Sequence, residues 1–395
     1  MTAPGRIAVT TVLRHATADE PTGFLHVVDL AEQRPLATIP MANARHIRHD
    51  PNMRGGLRGG RGLAVGGDRL AVAINDRVFV LGPDWSPRQR LEHRWFGGIH
   101  DILADEGGLW VTCANADLLL RVSWEGDVLD RWTWRTNASL RGEFGYGWVP
   151  AFQPDVDYRD PRQLHFGVFD LVHLNGIARL DGCVVVSLGQ IKHPPRIREK
   201  ALRGRLASVS WSVAPPVVEA VHAWRKWHEE RLYRRRASAR APGVLPRPEA
   251  RSALVRIPLR DGGALDAVGA EVILQHPAPL PNHNVAAVHG VDGRAAWLLN
   301  RSGTGHIVAL EEGGAVVRSI STPTPQHSFP RGLLDLGGGR FLVGDQAPLA
   351  LHLVDIAQGR FTETLQLDGR PHEVVYALAP VPDAFAAPPD AIAWD

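Results

Sequence analysis

Short apolar runs, each closed by Gly, Asp, Asn or Pro, recur from one end of the chain to the other. Within a run, apolar and polar positions alternate with a period of two, the pattern of a half-buried β-strand. The runs group into one repeated unit: a polar residue and one further residue, an apolar strand, a Gly/Asp turn, then a second apolar strand. The units open at Arg61-Gly-Leu-Ala-Val, His100-Asp-Ile-Leu-Ala, Asn175-Gly-Ile-Ala-Arg, His283-Asn-Val-Ala-Ala, Arg331-Gly-Leu-Leu-Asp and His372-Glu-Val-Val-Tyr. Second strands end in the polar residues Asn75, Asn115, Gln190, Asn300 and Asp345, and third and fourth strands follow (for the unit at Arg61, RVFVL and RLEHRWF).

Four short strands per unit, repeated round the chain, predict an all-β, six-bladed β-propeller forming a single domain over 1–395. The sixth unit keeps only its first strand at the C-terminus. Its other strands are expected from the N-terminal runs RIAVTTVLR, GFLHVVDL and RPLATIP, so that strands from both ends share one blade and close the ring.

Two segments break the rhythm. Residues 137–172 separate the fourth strand of blade 2 from the first of blade 3, and residues 191–251 separate the second and third strands of blade 3. Both loop types leave a propeller on the face where the innermost strands begin, so both insertions are expected to roof the channel mouth. The second holds fifteen Lys and Arg against five Glu. Its Val217, Val221, Trp224, His228 and Leu232 recur at helical spacing, predicting one amphipathic helix with its apolar face, Trp224 included, packed on the propeller and its arginines in solvent.

Register places Arg61, His100, Asn175, His283, Arg331 and His372 at one structural position, the start of the innermost strand, where side chains point into the channel. His100, His283 and His372 fall on alternate blades. Three imidazoles related by approximate three-fold symmetry suit a divalent transition metal (Fe, Zn or Mn) with open positions for substrate. His173 is a candidate fourth ligand or general base, and Glu373 a second proton-moving group. Asp101, Asn284 and Glu373 are candidate orienters of the ring histidines. Arg61, Arg331 and Asn175 are candidate binders of an anionic substrate, the arginines through their forked donors.

Composition narrows the rest. Of 44 Lys and Arg only three are lysine, and the formal net charge is +2. Cys113 and Cys183 lie in apolar strand patterns and read as reduced core residues. There is no signal-peptide pattern at the start and no apolar stretch long enough to span a membrane, so a cytoplasmic location is expected. No nucleic-acid motif, P-loop, Rossmann fingerprint, HExxH or GxSxG is present.

The segments IHDILADEGGLWV, VHLNGIARLDGCVVVS and PNHNVAAVHGVDGRAAWLLN resemble the blade openings of bacterial arylsulfotransferase-like six-bladed propellers, and the pattern HLNG…PRGL is similar to uncharacterised bacterial propellers. The first resemblance, over roughly Ile99 to Asn300, implies sulfuryl transfer through a channel histidine, with His100, His173, Asn175 and His283 at the matching positions. An arginine that the family carries after the His-x-Asn strand is absent near Gly189–Gln190.

The leading expectation is a metal-dependent enzyme performing Lewis-acid chemistry (hydrolysis, elimination or isomerisation) on an anionic small molecule. Metal-free sulfuryl-type transfer, an iron-dependent oxygenase and a non-catalytic interaction propeller are the alternatives. An interaction propeller would have a side-chain-filled channel with no cavity beneath the insertions.

Overall fold

The computed structural model describes residues 4–50, 56–164, 169–180, 182–192, 250–278, 281–288, 294, 296–324, 328–346 and 349–394, with three helical positions at 216, 220 and 224. The predicted runs form twenty-four strands in six antiparallel four-stranded sheets. Blade 6 takes β1 (Arg6–Leu13), β2 (Phe24–Asp29) and β3 (Arg34–Pro40) from the N-terminus. Blade 1 holds β4 (Gly60–Gly66), β5 (Arg69–Ile74), β6 (Val78–Leu81) and β7 (Pro87–Leu91). Blade 2 holds β8 (Ile99–Asp105), β9 (Gly108–Cys113), β10 (Leu118–Ser123) and β11 (Val128–Trp132). Blade 3 holds β12 (Leu174–Leu180), β13 (Cys183–Ile191), β14 (Arg251–Pro258) and β15 (Glu271–Pro277). Blade 4 holds β16 (Val285–Ala287), β17 (Trp297–Arg301), β18 (His306–Leu310) and β19 (Val316–Ser321). Blade 5 holds β20 (Arg331–Gly337), β21 (Arg340–Gln346), β22 (Leu349–Asp355) and β23 (Arg360–Gln366). The last strand, β24 (Glu373–Pro380), returns to pair with β1 and completes blade 6.

Middle strands of each blade are buried on both faces, and apolar side chains of adjacent blades interlock between the sheets. The innermost strands must also come close to one another around the axis. Gly62 shows why: a Cβ there would lie 2.5 Å from the Ile102 nitrogen of the neighbouring blade. Such contact is open only to glycine.

Blade 6 carries a correction to the predicted register. His372 precedes β24, has a left-handed backbone (φ 67°) and is exposed, with its ring against His15 rather than in the channel. Glu373 points into blade 6 and is buried. Its Oε1 accepts from the Thr11 hydroxyl at 2.5 Å and pairs with His26 Nε2 at 2.7 Å, while His26 Nδ1 meets the Thr38 hydroxyl at 3.1 Å. Blade 5 repeats the arrangement with Asp345, His352 and Thr364. Glu373 is therefore a structural acid tying β24 to the N-terminal strands.

Burial alone would raise the Glu373 carboxyl, but His26 and Thr11 outweigh it and hold it below the usual 4.5. A depressed carboxylate contributes stability that is present above its unfolded value and lost as pH falls through the folded one. The blade 6 closure should accordingly weaken on acidification below about pH 4.5, the ordinary value for this group. Glu373→Ala strands two buried polar partners and should lower the unfolding free energy by about 2–4 kcal/mol in urea titrations at neutral pH. A change below about 0.5 kcal/mol, the scale of an ordinary surface substitution, would contradict a closing role.

Candidate functional site

The channel mouth opens into a cavity of about 330 Å³ whose wall includes Arg14, Arg61, His100, Asp170, His173, Lys192, Arg331 and Tyr376. Each innermost strand supplies one residue at its mouth end: Arg61 from β4, His100 from β8, Asn175 from β12, His283 just ahead of β16, Arg331 from β20 and Tyr376 from β24. The sixth position thus belongs to Tyr376, four residues beyond His372. Tyr376-Ala-Leu stands where Arg61-Gly-Leu and Arg331-Gly-Leu stand in blades 1 and 5, and that likeness was the available sequence signal.

Arg331 is the pivot of the mouth. It is buried, it forms no ion pair among the described residues, and its Nε has no hydrogen-bond partner. Its Nη2 lies 2.7 Å from His283 Nε2. A guanidinium only donates, so Nε2 accepts, and the His283 proton sits on Nδ1, which donates to the Ser302 hydroxyl at 2.9 Å. The Ser302 hydroxyl in turn donates to the Pro330 carbonyl at 2.6 Å. Burial first, and then Arg331, pushes the His283 imidazole well below its usual value, so it stays neutral. Burial also lowers Arg331 itself, to about 10, partly offset by Tyr376.

Tyr376 lies between two cations, with the guanidinium carbons of Arg61 and Arg331 each 4.5 Å from its ring centroid. Its hydroxyl is hydrogen-bonded to His100 Nδ1. Arg61 also donates to the Gly56 carbonyl at 2.8 Å. Burial, together with His173, Arg61 and Arg331, pushes His100 well below its usual value.

Against His100, at 4.6 Å between ring centroids, stands His173. Its Nδ1 is 2.9 Å from Asp170 Oδ1, and Lys192 Nζ is 3.1 Å from Asp170 Oδ2. Burial would raise the Asp170 carboxyl, but Lys192 and His173 hold it well below the carboxylate range. Asp170 and His173 both have left-handed backbones, φ 54° and 53°. Such conformations are strained for non-glycine residues and persist where the surroundings impose them. Here Asp117 imposes them. Buried and paired with Arg135 at 2.6 Å, it accepts from the Leu171 and Val172 amides at 3.0 and 3.3 Å.

Other predicted residues lie elsewhere. Asn175 occupies its ring position but is outside the cavity lining, its amide nitrogen donating to the Asn282 carbonyl. Asp101 does not orient a histidine. It is half-buried, its carboxyl pushed up to about 7 by desolvation, and it accepts from Asn284 Nδ2 at 3.3 Å. Asn284 Oδ1 in turn accepts the amide of Gly332 (φ +72°). The first insertion meets the roof expectation, because Pro161, Leu164 and Asp170 line the cavity. Apart from Ile191, Lys192 and three helical positions, the second insertion up to residue 249 lies outside the described residues, including Val217, Val221, His228 and Leu232. Trp224, expected on a packed face, is exposed. Both cysteines are buried free thiols.

The donor set does not fit the expected metal. His372 is on the far side of its strand start, and both nitrogens of His283 are engaged, one of them by a cation. Among the described residues no three His, Cys, Asp or Glu side chains converge as ligands. The chain's own groups instead bring Arg61, Arg331 and Lys192 to the cavity wall, with a carboxylate-backed imidazole beside them. Lys192, Asp170 and Tyr376 were not singled out from sequence. The Asp170–His173 spacing in DLVHLNG was the one local clue to that pair.

Removing the support should show in the backbone. In Asp117→Ala, amide exchange at Leu171 and Val172 should rise at least ~10-fold more than at Trp110 and Leu120. Equal acceleration at all four would contradict the anchoring role.

No protein-family model matches the chain, and no curated protein matches it. Among solved structures, a chain of the nidogen/laminin complex is 10% identical with a TM-score of 0.49, over 94% of this chain and 97% of that one. A protein of unknown function from Bacteroides caccae gives 10% and 0.49, over 95% and 98%. Virginiamycin B lyase from Staphylococcus aureus gives 8% and 0.45, over 92% and 85%. These values are too low to carry an argument, and the six-bladed architecture rests on the strand pairing itself.

Proposed function

We propose that the protein is an enzyme acting by general acid–base chemistry on a small anionic molecule held in the channel mouth. Arg331 and Arg61 hold the anion, and His173, oriented by Asp170, moves the proton. The carrying observation is Arg331: a buried guanidinium with no carboxylate partner among the described residues, facing a cavity. An anionic ligand supplies the missing charge. Asp170 fixes Nδ1 of His173 as the protonated nitrogen and leaves Nε2 as the base, the division of labour general-base catalysis requires. The cavity counts against a non-catalytic propeller with a filled channel. A soluble, cytoplasmic setting remains part of this reading; no helix among the described residues is long and apolar enough to cross a membrane.

Sulfuryl-type transfer through a histidine is a second reading. His173 favours it, because no hydrogen bond among the described residues engages its Nε2, whereas both nitrogens of His283 are engaged. In that case incubation with an aryl sulfate leaves a sulfo group on His173.

Sulfate serves as a stand-in ligand. Calorimetry at low salt should show one site, and Arg331→Gln should weaken binding at least ~10-fold, as loss of a charge-assisted bond does. Binding should persist through neutral pH and fall as pH passes about 10, where Arg331 loses its charge. His173→Gln should leave sulfate binding within ~3-fold of the parent, because a proton-moving group adds little to ground-state affinity. Sulfate binding insensitive to Arg331→Gln would overturn the proposal.

A further inference from the structure

Tyr376 is a buried phenol on the cavity wall, in contact with both anion-holding arginines and with His100. We propose that Tyr376 is a catalytic residue, the proton donor that works with His173, so that the site carries out elimination on a small carboxylate bearing a departing oxygen. This rests on the acid–base reading above.

Three observations carry it. A phenol that gives up its proton becomes an anion, and two guanidiniums 4.5 Å from its ring centre are placed to stabilise that charge. The hydroxyl is bonded to His100, whose ring lies 4.6 Å from that of His173. Asp170, His173, His100 and Tyr376 therefore follow one another along the mouth through two hydrogen bonds and one edge-on ring contact, with a base near one end and an acid at the other. Finally, no serine, threonine or cysteine lines the described cavity wall to act as a nucleophile. A base joined to an acid suits a reaction in which one substrate gives a proton and takes one.

The step balances without a co-reactant. A C–H proton next to the carboxylate passes to His173 Nε2, its electron pair forms the C=C bond, and the C–O bond to the leaving group breaks. The departing oxygen takes the proton of Tyr376. The imidazolium of His173 and the phenolate of Tyr376 then neutralise each other by way of His100.

The test reads the readiness of Tyr376 to part with its proton. The full chain is treated with para-carboxybenzenesulfonyl fluoride, whose carboxylate suits the arginines; the Oη–S bond forms as the S–F bond breaks and the phenolic proton is lost. Peptide mass mapping should place the label on Tyr376, at least ~10-fold faster than on Tyr146 or Tyr158, with sulfate protecting, as expected of an activated nucleophile. Tyr376→Phe should abolish it, and His100→Asn should slow it at least ~10-fold, since the neighbouring base is lost. Arg61→Gln should slow it similarly and decides the matter if His100→Asn does not fold. Labelling of Tyr376 no faster than the other tyrosines, or independent of both His100 and Arg61, overturns the inference. If sulfate still binds through Arg331 in that event, the anion-site reading stands and only the role of Tyr376 falls. If sulfate does not bind, the reading beneath it falls too.

Discussion

A guanidinium held inside a propeller channel, with no carboxylate paired to it among the described residues, sets the terms for everything around it. Arg331 is desolvated, and burial of a lone cation is costly unless its neighbours accept its hydrogen bonds and tolerate its charge. His283 meets the first demand by presenting a lone pair, with Ser302 and the Pro330 carbonyl fixing which nitrogen is bare. Tyr376 meets the second with an aromatic face, shared with Arg61. Burial, helped by the same cations, keeps His100 and His283 neutral. A ligand that brings negative charge is the partner we propose for Arg331.

The propeller makes this arrangement possible by geometry. Six inner strands converge on an axis, and glycine at positions such as Gly62 lets them approach closely enough to bring one side chain per blade to a common mouth. The arginines we propose to hold the anion stand on strands of the blades. The Asp170–His173 pair, proposed to move the proton, stands at the end of the first insertion, where Asp117 and Arg135 clamp the backbone just before His173. On the proposed reading, holding the charge falls to the scaffold and moving the proton to an anchored loop. That division keeps Asp170 and His173 in conformations a free loop would relax.

Most of the blade plan was legible because it rests on local signals: period-two runs, turn residues and the repeated opening Arg-Gly-Leu or His-Asp-Ile. Blade 6 failed in its finer register because His-Glu reads like the other openings, while Tyr-Ala-Leu carries the true ring position. The His26–Glu373 pair joins residues far apart in the chain, and no local pattern announces it. Likewise the sequence placed His283 and Arg331 on one ring but could not show that one caps the other's charge. That contact turns an expected metal ligand into a support for an arginine. Asp170 was hidden for a related reason: its importance comes from a buried clamp contributed by a different blade.

The most direct test of the central claim is crystallographic. Crystals grown in bromide and measured for anomalous scattering should show an ordered ion in the channel mouth within reach of Arg331 and Arg61, beside Tyr376. Bromide at surface arginines with none in the mouth, or a mouth filled by its own side chains, would contradict the account.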